Sequence, residues 1–213
     1  MAGANLSKMT VKDPQYTNAP DQKFSPVIRY QLGVYKELYA GNNIIIAPGL
    51  LFIKKGYKSR LQDELSDGSR DWRVEFSPSY IQLPVDIAYR WRLSGGRSFD
   101  AGLNIYASYG IGGRGHTVIK LDGKTVKDEK FKLEFKNEAD FSSENNVATY
   151  SPGYSRPLDV GGGIVVKYGF GNKMGVKLNA DHSFFNLQSK IYGKKPAASA
   201  YNQQLRISVC YDL

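Results

Sequence analysis

Residues 80–92 read YIQLPVDIAYRWR, and residues 99–111 read FDAGLNIYASYGI. In each stretch apolar side chains occupy every second position, and small or polar residues fill most of the positions between them. Because successive side chains of a strand point to opposite faces, this alternation predicts two long β-strands. The Gly95-Gly96 pair between them favours a tight reversal, so the two strands are predicted to form a hairpin with one apolar face.

The composition limits how such a chain could meet a membrane. The 213 residues have a mean hydropathy of −0.42, and no run of 18 apolar residues occurs. This excludes a transmembrane helix, whereas membrane-spanning strands remain possible because they alternate and leave only a weak hydropathy signal. The formal net charge of +9 indicates attraction to anions.

Alternation of the same kind predicts further strands along the chain. The predicted strands cover residues 2–11, 26–38, 44–58, 80–92, 99–111, 158–168, 173–187 and 204–213. The fourth could begin as early as Arg73, and the third is apolar on both faces through Ile53, so its phase stays open. Residues 60–72 have the composition of a polar loop.

The connections alternate between long polar loops and short turns. In an antiparallel meander this places all long loops at one end and all short turns, with both termini, at the other. We therefore predict an all-β fold: a single domain over residues 1–213 that forms an eight-stranded antiparallel up-and-down transmembrane β-barrel. Its long extracellular loop, about residues 112–156, is expected to contain strand extensions with a hairpin turn at Asp122-Gly123.

The polar face carries nearly balanced charges, seven positive and six negative if Lys55 is included. A closed interior needs such a balance because each buried charge requires a partner, and an eight-stranded barrel is just wide enough for side chains to fill. The predicted lumen network consists of Arg29, Glu37, Asp86, Arg90, Arg92, Asp100, Asp159, Lys167, Lys177, Asp181, Arg206 and Asp212.

The apolar face is then expected to meet lipid. Aromatic residues near the short-turn end are candidates for a girdle at the membrane interface, namely Tyr89, Trp91, Phe99, Tyr168 and Tyr211. The rival is a soluble, lipocalin-like barrel that binds a small ligand and has the opposite faces inward. Loop asymmetry, strand length and the aromatic positions favour the membrane barrel.

Sites for chemistry are not indicated by the sequence. A single cysteine and two histidines give no metal spacing, and we predict no catalytic residue and no cofactor. The glycines of residues 110–115 lack the features of a phosphate loop and suggest a bend at a strand end. The loop cations Lys120, Lys124, Lys130, Lys194 and Lys195 are candidate contacts for lipopolysaccharide phosphates or an envelope protein. Nucleic acid is not expected, since no aromatic-basic platform accompanies the charge.

Four stretches carry a family resemblance: AGANLSKMT at the start, GLLFIKKG at 49–56, YIQLPVDIAYRW at 80–91 and the closing LRISVCYDL. Together they resemble the PorT-like, OmpA-like outer-membrane barrel proteins of Bacteroidetes. The resemblance implies an eight-stranded barrel in the outer membrane, reached through a cleaved signal peptide that this sequence does not contain. The chain departs from the pattern at Leu213, where an aromatic residue is common, and at Gly49, where a glutamate is common.

The leading hypothesis is a non-enzymatic, monomeric outer-membrane barrel whose lumen is plugged by charged side chains. Its extracellular loops would carry a surface-binding or envelope-structural role. Two alternatives stay open at this point: the soluble ligand-binding barrel, and an accessory component of a secretion system, which only the resemblance suggests.

Overall fold

The structure, a computed structural model, describes residues 1–12, 23–65, 68–139, 153–171, 173–191 and 199–211. These residues form strands almost throughout, with one short 3₁₀ turn at Ser94–Gly96. Among them there is no helix with the length and apolar character needed to cross a bilayer.

Eight long strands form the body of the fold. They are β1 (Ala2–Lys12), β3 (Val27–Tyr35), β5 (Ile44–Lys54), β7 (Gly68–Arg92), β8 (Ser98–Leu121), β12 (Leu158–Gly169), β13 (Met174–Ser183) and β15 (Ser199–Tyr211). Further strands lie in the connections: β2 (Lys23–Ser25), β4 (Leu38–Tyr39), β6 (Tyr57–Leu65), β9 (Lys124–Phe135), β10 (Glu138–Ala139), β11 (Gly153–Ser155) and β14 (Lys190–Ile191).

The eight long strands close into an antiparallel ring. Each pairs with its sequence neighbour among the eight, and β1 completes the ring by pairing with β15 through Asn5 and Arg206. The predicted eight-stranded up-and-down barrel is therefore confirmed. The predicted reversal between β7 and β8 is also present, where Gly95 and Gly96 both adopt positive φ angles near 70°.

The two faces of the ring have opposite chemistry. On β8, Leu103 is 63 % exposed on the outside, while the adjacent Asn104 is fully buried inside. The other ring strands repeat this pattern, as with Ile28 outside and Gln31 inside on β3. A continuous apolar band on this scale is not found on a protein surrounded by water. The lipocalin-like arrangement is therefore wrong, because the apolar face points outward.

The structure settles the phase of β5, which the sequence left open. Ile45, Leu51 and Ile53 face the interior and are almost fully buried, whereas Ile44 and Leu50 are about half exposed on the outside. Both faces are apolar because β5 contributes an apolar strip to an otherwise polar lumen. The next inward residue, Lys55, is fully buried.

The prediction of a polar loop at residues 60–72 is wrong. Strand β6 covers residues 60–65 of this stretch and pairs with the first part of β7, which begins at Gly68, with Leu61 opposite Trp72. Polar cross-strand pairs help to hold this hairpin, including the ion pair of Arg70 with Asp63. Among residues 60–72 only Leu61, Leu65 and Trp72 are apolar, so the period-two signal is weak in this hairpin, which does not separate lipid from a lumen.

Strands β7 and β8 continue together well beyond the ring. A β-bulge near Ile111 shifts their register, and pairing then continues from Gly112 to Leu121. Strand β9 adds to β8 across the predicted turn, where Asp122 and Gly123 have positive φ angles of 47° and 76°. Strands β9, β8, β7, β6 and β2 thus form one extension sheet at the long-loop end. Residues 140–152 of the predicted long loop lie outside the described residues.

Candidate functional site

Opposite charges are paired throughout the lumen. Within the described residues the pairs are Lys55–Asp159, Lys177–Asp86, Arg206–Asp181, Arg90–Asp100, Arg90–Glu37 and Lys167–Glu37. They join five cations to five carboxylates, so this interior set is neutral. Because a buried charge without a partner is costly, the matching explains how a closed barrel tolerates so many ions.

The pair of Lys55 and Asp159 is fully enclosed in the lumen. Both side chains are fully buried, and Nζ of Lys55 donates to Oδ2 of Asp159 at 2.7 Å. The aspartate also accepts hydrogen bonds from the Ser183 hydroxyl at 2.6 Å and the Asn202 amide at 3.0 Å. The predicted lumen network did not include Lys55, because the sequence left the phase of β5 open. The alternation from Leu51 through Ile53 to Lys55 was the signal that could have placed Lys55 inside.

A second cluster closes the short-turn end of the lumen. Arg90 donates through Nε and Nη2 to the two oxygens of Asp100, at 2.7 Å each, and Nη2 also reaches Glu37 at 2.8 Å. Lys167 donates to the other oxygen of Glu37 at 2.7 Å. Between this cluster and the pair of Lys177 and Asp86 lies a cavity of about 80 Å³.

Three predicted members of the lumen network are not part of this set. Arg92 lies beyond the last interior layer, is exposed, and donates to the backbone carbonyl of Asn42. Arg29 lies near the opposite end of β3, past the last pairing of that strand with β5, and bonds to Glu75 on the extension sheet. Asp212 lies outside the described residues.

The predicted girdle aromatics lie on the exterior near the short turns. Tyr89 and Trp91 are 4.7 Å apart between ring centroids, and Trp91 lies 5.6 Å from Phe99 on the neighbouring strand. Tyr168 is the cross-strand partner of Phe99, so these rings form a continuous row. Tyr211 is about half exposed at the end of β15. A membrane-interface role for these rings stays a prediction.

One face of the extension sheet is apolar and rich in aromatic rings. Phe76 stacks on Tyr57 with 4.9 Å between centroids and meets the edge of Phe131 at 5.7 Å. The glycines predicted to mark a bend have a packing role here as well. A Cβ at Gly115 would lie 2.1 Å from the Phe131 ring, and a Cβ at Gly110 would lie 2.3 Å from Phe135. The sheet therefore needs glycine where these rings cross β8.

The opposite face of the extension sheet is basic. Cross-strand pairing and the alternation along each strand place the following charged residues on it: Lys23, Lys58, Arg60, Glu64, Asp71, Arg73, Glu75, Arg114, His116, Lys120, Asp128, Lys130, Lys132 and Glu134. We call this surface the basic face. It includes the predicted contacts Lys120 and Lys130, while Lys124 is exposed at the nearby turn. Lys194 and Lys195 lie outside the described residues.

Some cations of the basic face are neutralised and others are not. Asp71 accepts from Arg60 at 2.8 Å and from Arg73 at 2.6 Å, and the hydrogen bonds from these two guanidinium groups hold the pKa of Asp71 well below its ordinary value. Within the described residues, Arg114 and Lys132 have no carboxylate partner. The free positive charge of the sheet is therefore concentrated where β8 meets β9.

Residue types used in catalysis do not converge in the described part of the chain. Asp181 and Ser183 are buried in the lumen, whereas the intervening His182 is exposed and stacks on Tyr201. His116 pairs with Asp128 at 2.7 Å on the basic face. No group of three or more metal-binding side chains occurs among the described residues.

The deep ion pair predicts a specific pattern of stability changes. Replacing Lys55 with Met leaves the Asp159 charge buried without a counter-ion, so the free energy of unfolding should fall by about 3–5 kcal/mol. The double variant K55M/D159L should lose less than the sum of the two single variants, because no unpaired charge remains. Denaturant unfolding in lipid vesicles measures these values.

An exposed pair supplies the control for this experiment. Arg60→Gln removes one partner of Asp71 on the basic face, and it should lower the free energy of unfolding far less than K55M, because exposed ion pairs contribute little to stability. Additive effects of K55M and D159L would contradict a coupled buried pair.

Solved structures of two proteins align with nearly the whole of this chain. Neisserial surface protein A (NspA) aligns at 8 % identity with a TM-score of 0.34, covering 99 % of this chain and 96 % of NspA. The attachment invasion locus protein Ail of Yersinia pestis aligns at 8 % identity and a TM-score of 0.33, with the same coverage. The structure of Ail in complex with the heparin analogue sucrose octasulfate aligns at 10 % identity with a TM-score of 0.31, again covering 99 % of this chain and 96 % of Ail.

Comparison with families is more informative than comparison with single proteins. The search of curated protein sequences gives no match. The sequence model of the family described as "Outer membrane protein beta-barrel domain" matches residues 2–189, which is most of the chain. The match begins in β1 and includes seven of the eight ring strands. The chain therefore belongs to the outer membrane protein β-barrel domain family and is a barrel of the bacterial outer membrane.

Proposed function

We propose that this protein is a non-enzymatic surface-binding protein of the outer membrane, which engages anionic lipopolysaccharide through its extension sheet. The observation that carries this proposal is the basic face, which lies on the extensions of the barrel strands β7 and β8 and on β2, β6 and β9 beside them. In this account the lumen has a structural role, and its ions hold the eight strands together.

The direction of the barrel in the membrane follows from its connections. Barrels of bacterial outer membranes have short periplasmic turns and longer extracellular loops. The turns at 40–43 and 93–97 and the reversal between β12 and β13 lie at one end of this ring, together with Met1 and Tyr211. The extension sheet lies at the other end, which this account places outside the cell.

A filled lumen supports binding rather than transport. Arg206, Tyr80, Lys55 and Leu51 are large side chains that are less than 2 % exposed, and all four lie inside the ring. Tyr80 and Phe135 pack at 5.3 Å between centroids where the ring passes into the extension sheet. An eight-stranded ring leaves little space once such side chains are in place.

Lipopolysaccharide suits the basic face because its phosphates lie at the membrane surface. Basic groups next to a membrane are attracted to anionic lipid headgroups, and the attraction falls off within a Debye length. The basic face begins a few residues beyond the apolar band, so its cations would lie in this layer. The more specific PorT-like affiliation, a secretion-accessory role and the monomeric state rest on no observation of the structure and stay predictions.

Conductance tests the structural role of the lumen. In planar lipid bilayers the protein should show no steady single-channel current, because buried ion pairs fill the ring. The control is a large porin in the same bilayer, which establishes that inserted channels are detected. Steady, large conductance from this protein would contradict a plugged lumen.

Binding of lipopolysaccharide tests the surface role. Fluorescently labelled lipopolysaccharide should bind the detergent-solubilised protein at low salt, and affinity should fall as ionic strength rises because the contacts are largely electrostatic. An uncharged glycolipid in the same detergent is the control. Equal binding of both lipids, or binding that salt leaves unchanged, would contradict the proposal.

A further inference from the structure

We propose that Arg114, Lys130 and Lys132 form a phosphate-binding site for lipopolysaccharide on the basic face. This inference rests on the proposed function and deepens it by naming the site and the chemical group. Arg114 and Lys132 are direct cross-strand partners, and Lys130 is the partner of His116 one row further along. Arg114, Lys130 and Lys132 are all exposed.

The first argument is electrostatic. Like charges directly opposite each other on neighbouring strands are destabilising. The same sheet holds a second like-charged pair, Arg60 opposite Arg73, and there Asp71 bonds to both guanidinium groups. Arg114 and Lys132 have no such carboxylate within the described residues. An external anion would act at this pair as Asp71 does at the other.

The neighbouring carboxylates are already engaged. Glu134, the next residue on this side of β9, pairs with Lys136 at 3.1 Å. Asp128 pairs with His116 at 2.7 Å. Ser77, the partner of Arg114 on β7, accepts a hydrogen bond from Arg29 at 3.0 Å. The three cations therefore face a surface whose nearby acidic groups are directed elsewhere.

The second argument is rigidity. Arg114 lies between Gly113 and Gly115. On the side of the sheet away from the Arg114 side chain, these glycines are covered by Leu133 and Phe131, which are 6 % and 7 % exposed. The three cations are thus attached to paired, packed strands rather than to a loop. Less conformational entropy is lost when a ligand meets groups that are already in place. An arginine fork and two lysine charges also suit the oxygens of a phosphate.

The third argument is depth in the membrane. Ile111 ends the exposed apolar series of β8, and Arg114 follows three residues later, which corresponds to about 10 Å along an extended strand. A strand tilt near 40° reduces this to about 8 Å along the membrane normal. The headgroup layer outside the hydrocarbon core is roughly 5–8 Å thick on each side. The site therefore lies at the level of lipid phosphates.

The test compares two double variants with equal loss of charge. R114Q/K132Q removes the unneutralised pair. K58Q/R60Q is the control, because it removes two cations from the same face while Glu75 keeps Arg29 and Asp71 keeps Arg73. Labelled lipopolysaccharide and its enzymatically dephosphorylated form are the probes, in detergent at low salt. Heat-modifiable migration in gels checks that each variant is folded.

The expected result is a loss of roughly tenfold or more in affinity for R114Q/K132Q, as charge-assisted contacts are removed, and less than about threefold for K58Q/R60Q. Lys130→Gln alone should give an intermediate loss. Dephosphorylation should weaken binding to the wild type and abolish the difference between wild type and R114Q/K132Q.

Other results would overturn the site. Equal losses in the two double variants would indicate a general effect of net charge, and unchanged binding of the dephosphorylated lipid would show that phosphate is not the recognised group. A soluble sulfated polysaccharide that binds as tightly as lipopolysaccharide would assign the face to a different ligand. Absence of any lipopolysaccharide binding by the wild type would instead refute the proposed function itself.

Discussion

Charge pairing inside a closed ring is the constraint on which the rest of the structure depends. Once β15 pairs with β1, the inward side chains of eight strands have no route to bulk water except at the ends. The pair of Lys55 and Asp159 shows the consequence, since both are fully buried and the aspartate is bonded by three separate side chains. Burial of one such charge alone would be prohibitive. A polar interior in turn leaves the apolar residues on the outside, where lipid is the suitable solvent.

Packing of aromatic rings against glycine determines what stands above the ring. The bulge near Ile111 and the glycines at 110, 113 and 115 let Phe135, Leu133 and Phe131 lie close to the backbone of β8. The apolar side of the extension sheet is occupied in this way, and its other side is left to charged residues. The position of the basic face is therefore a product of the same packing that covers the top of the ring.

Much of the fold could be predicted because one face meets lipid and the other a lumen. Where that contrast holds, as from Phe99 to Ile111, hydrophobic periodicity identified strand, partner and inward face. It failed at β5, where Leu51 and Ile53 form an apolar strip inside the lumen, and at β6, where residues 60–65 contain only two apolar side chains, Leu61 and Leu65. The inward-facing charges could be predicted from the alternation of inward and outward positions along each strand. Arg29 lies where β3 separates from β5, and alternation alone cannot detect such a separation. The Arg114–Lys132 pair depends on the register of β8 with β9, which the sequence pattern did not specify.

A spin-label scan along β8 tests the central claim most directly. Each position from Ala101 to Arg114 is replaced in turn by a single spin-labelled cysteine, in a C210S background and in lipid vesicles. Collision of the label with oxygen reports contact with lipid, and collision with a nickel chelate reports contact with water. The account predicts oxygen contact at 103, 105 and 109, little contact with either reagent at 104, 106 and 108, and strong nickel contact at 114. Nickel contact at 103 and 105, or oxygen contact at 104 and 106, would contradict a barrel with its apolar face in lipid.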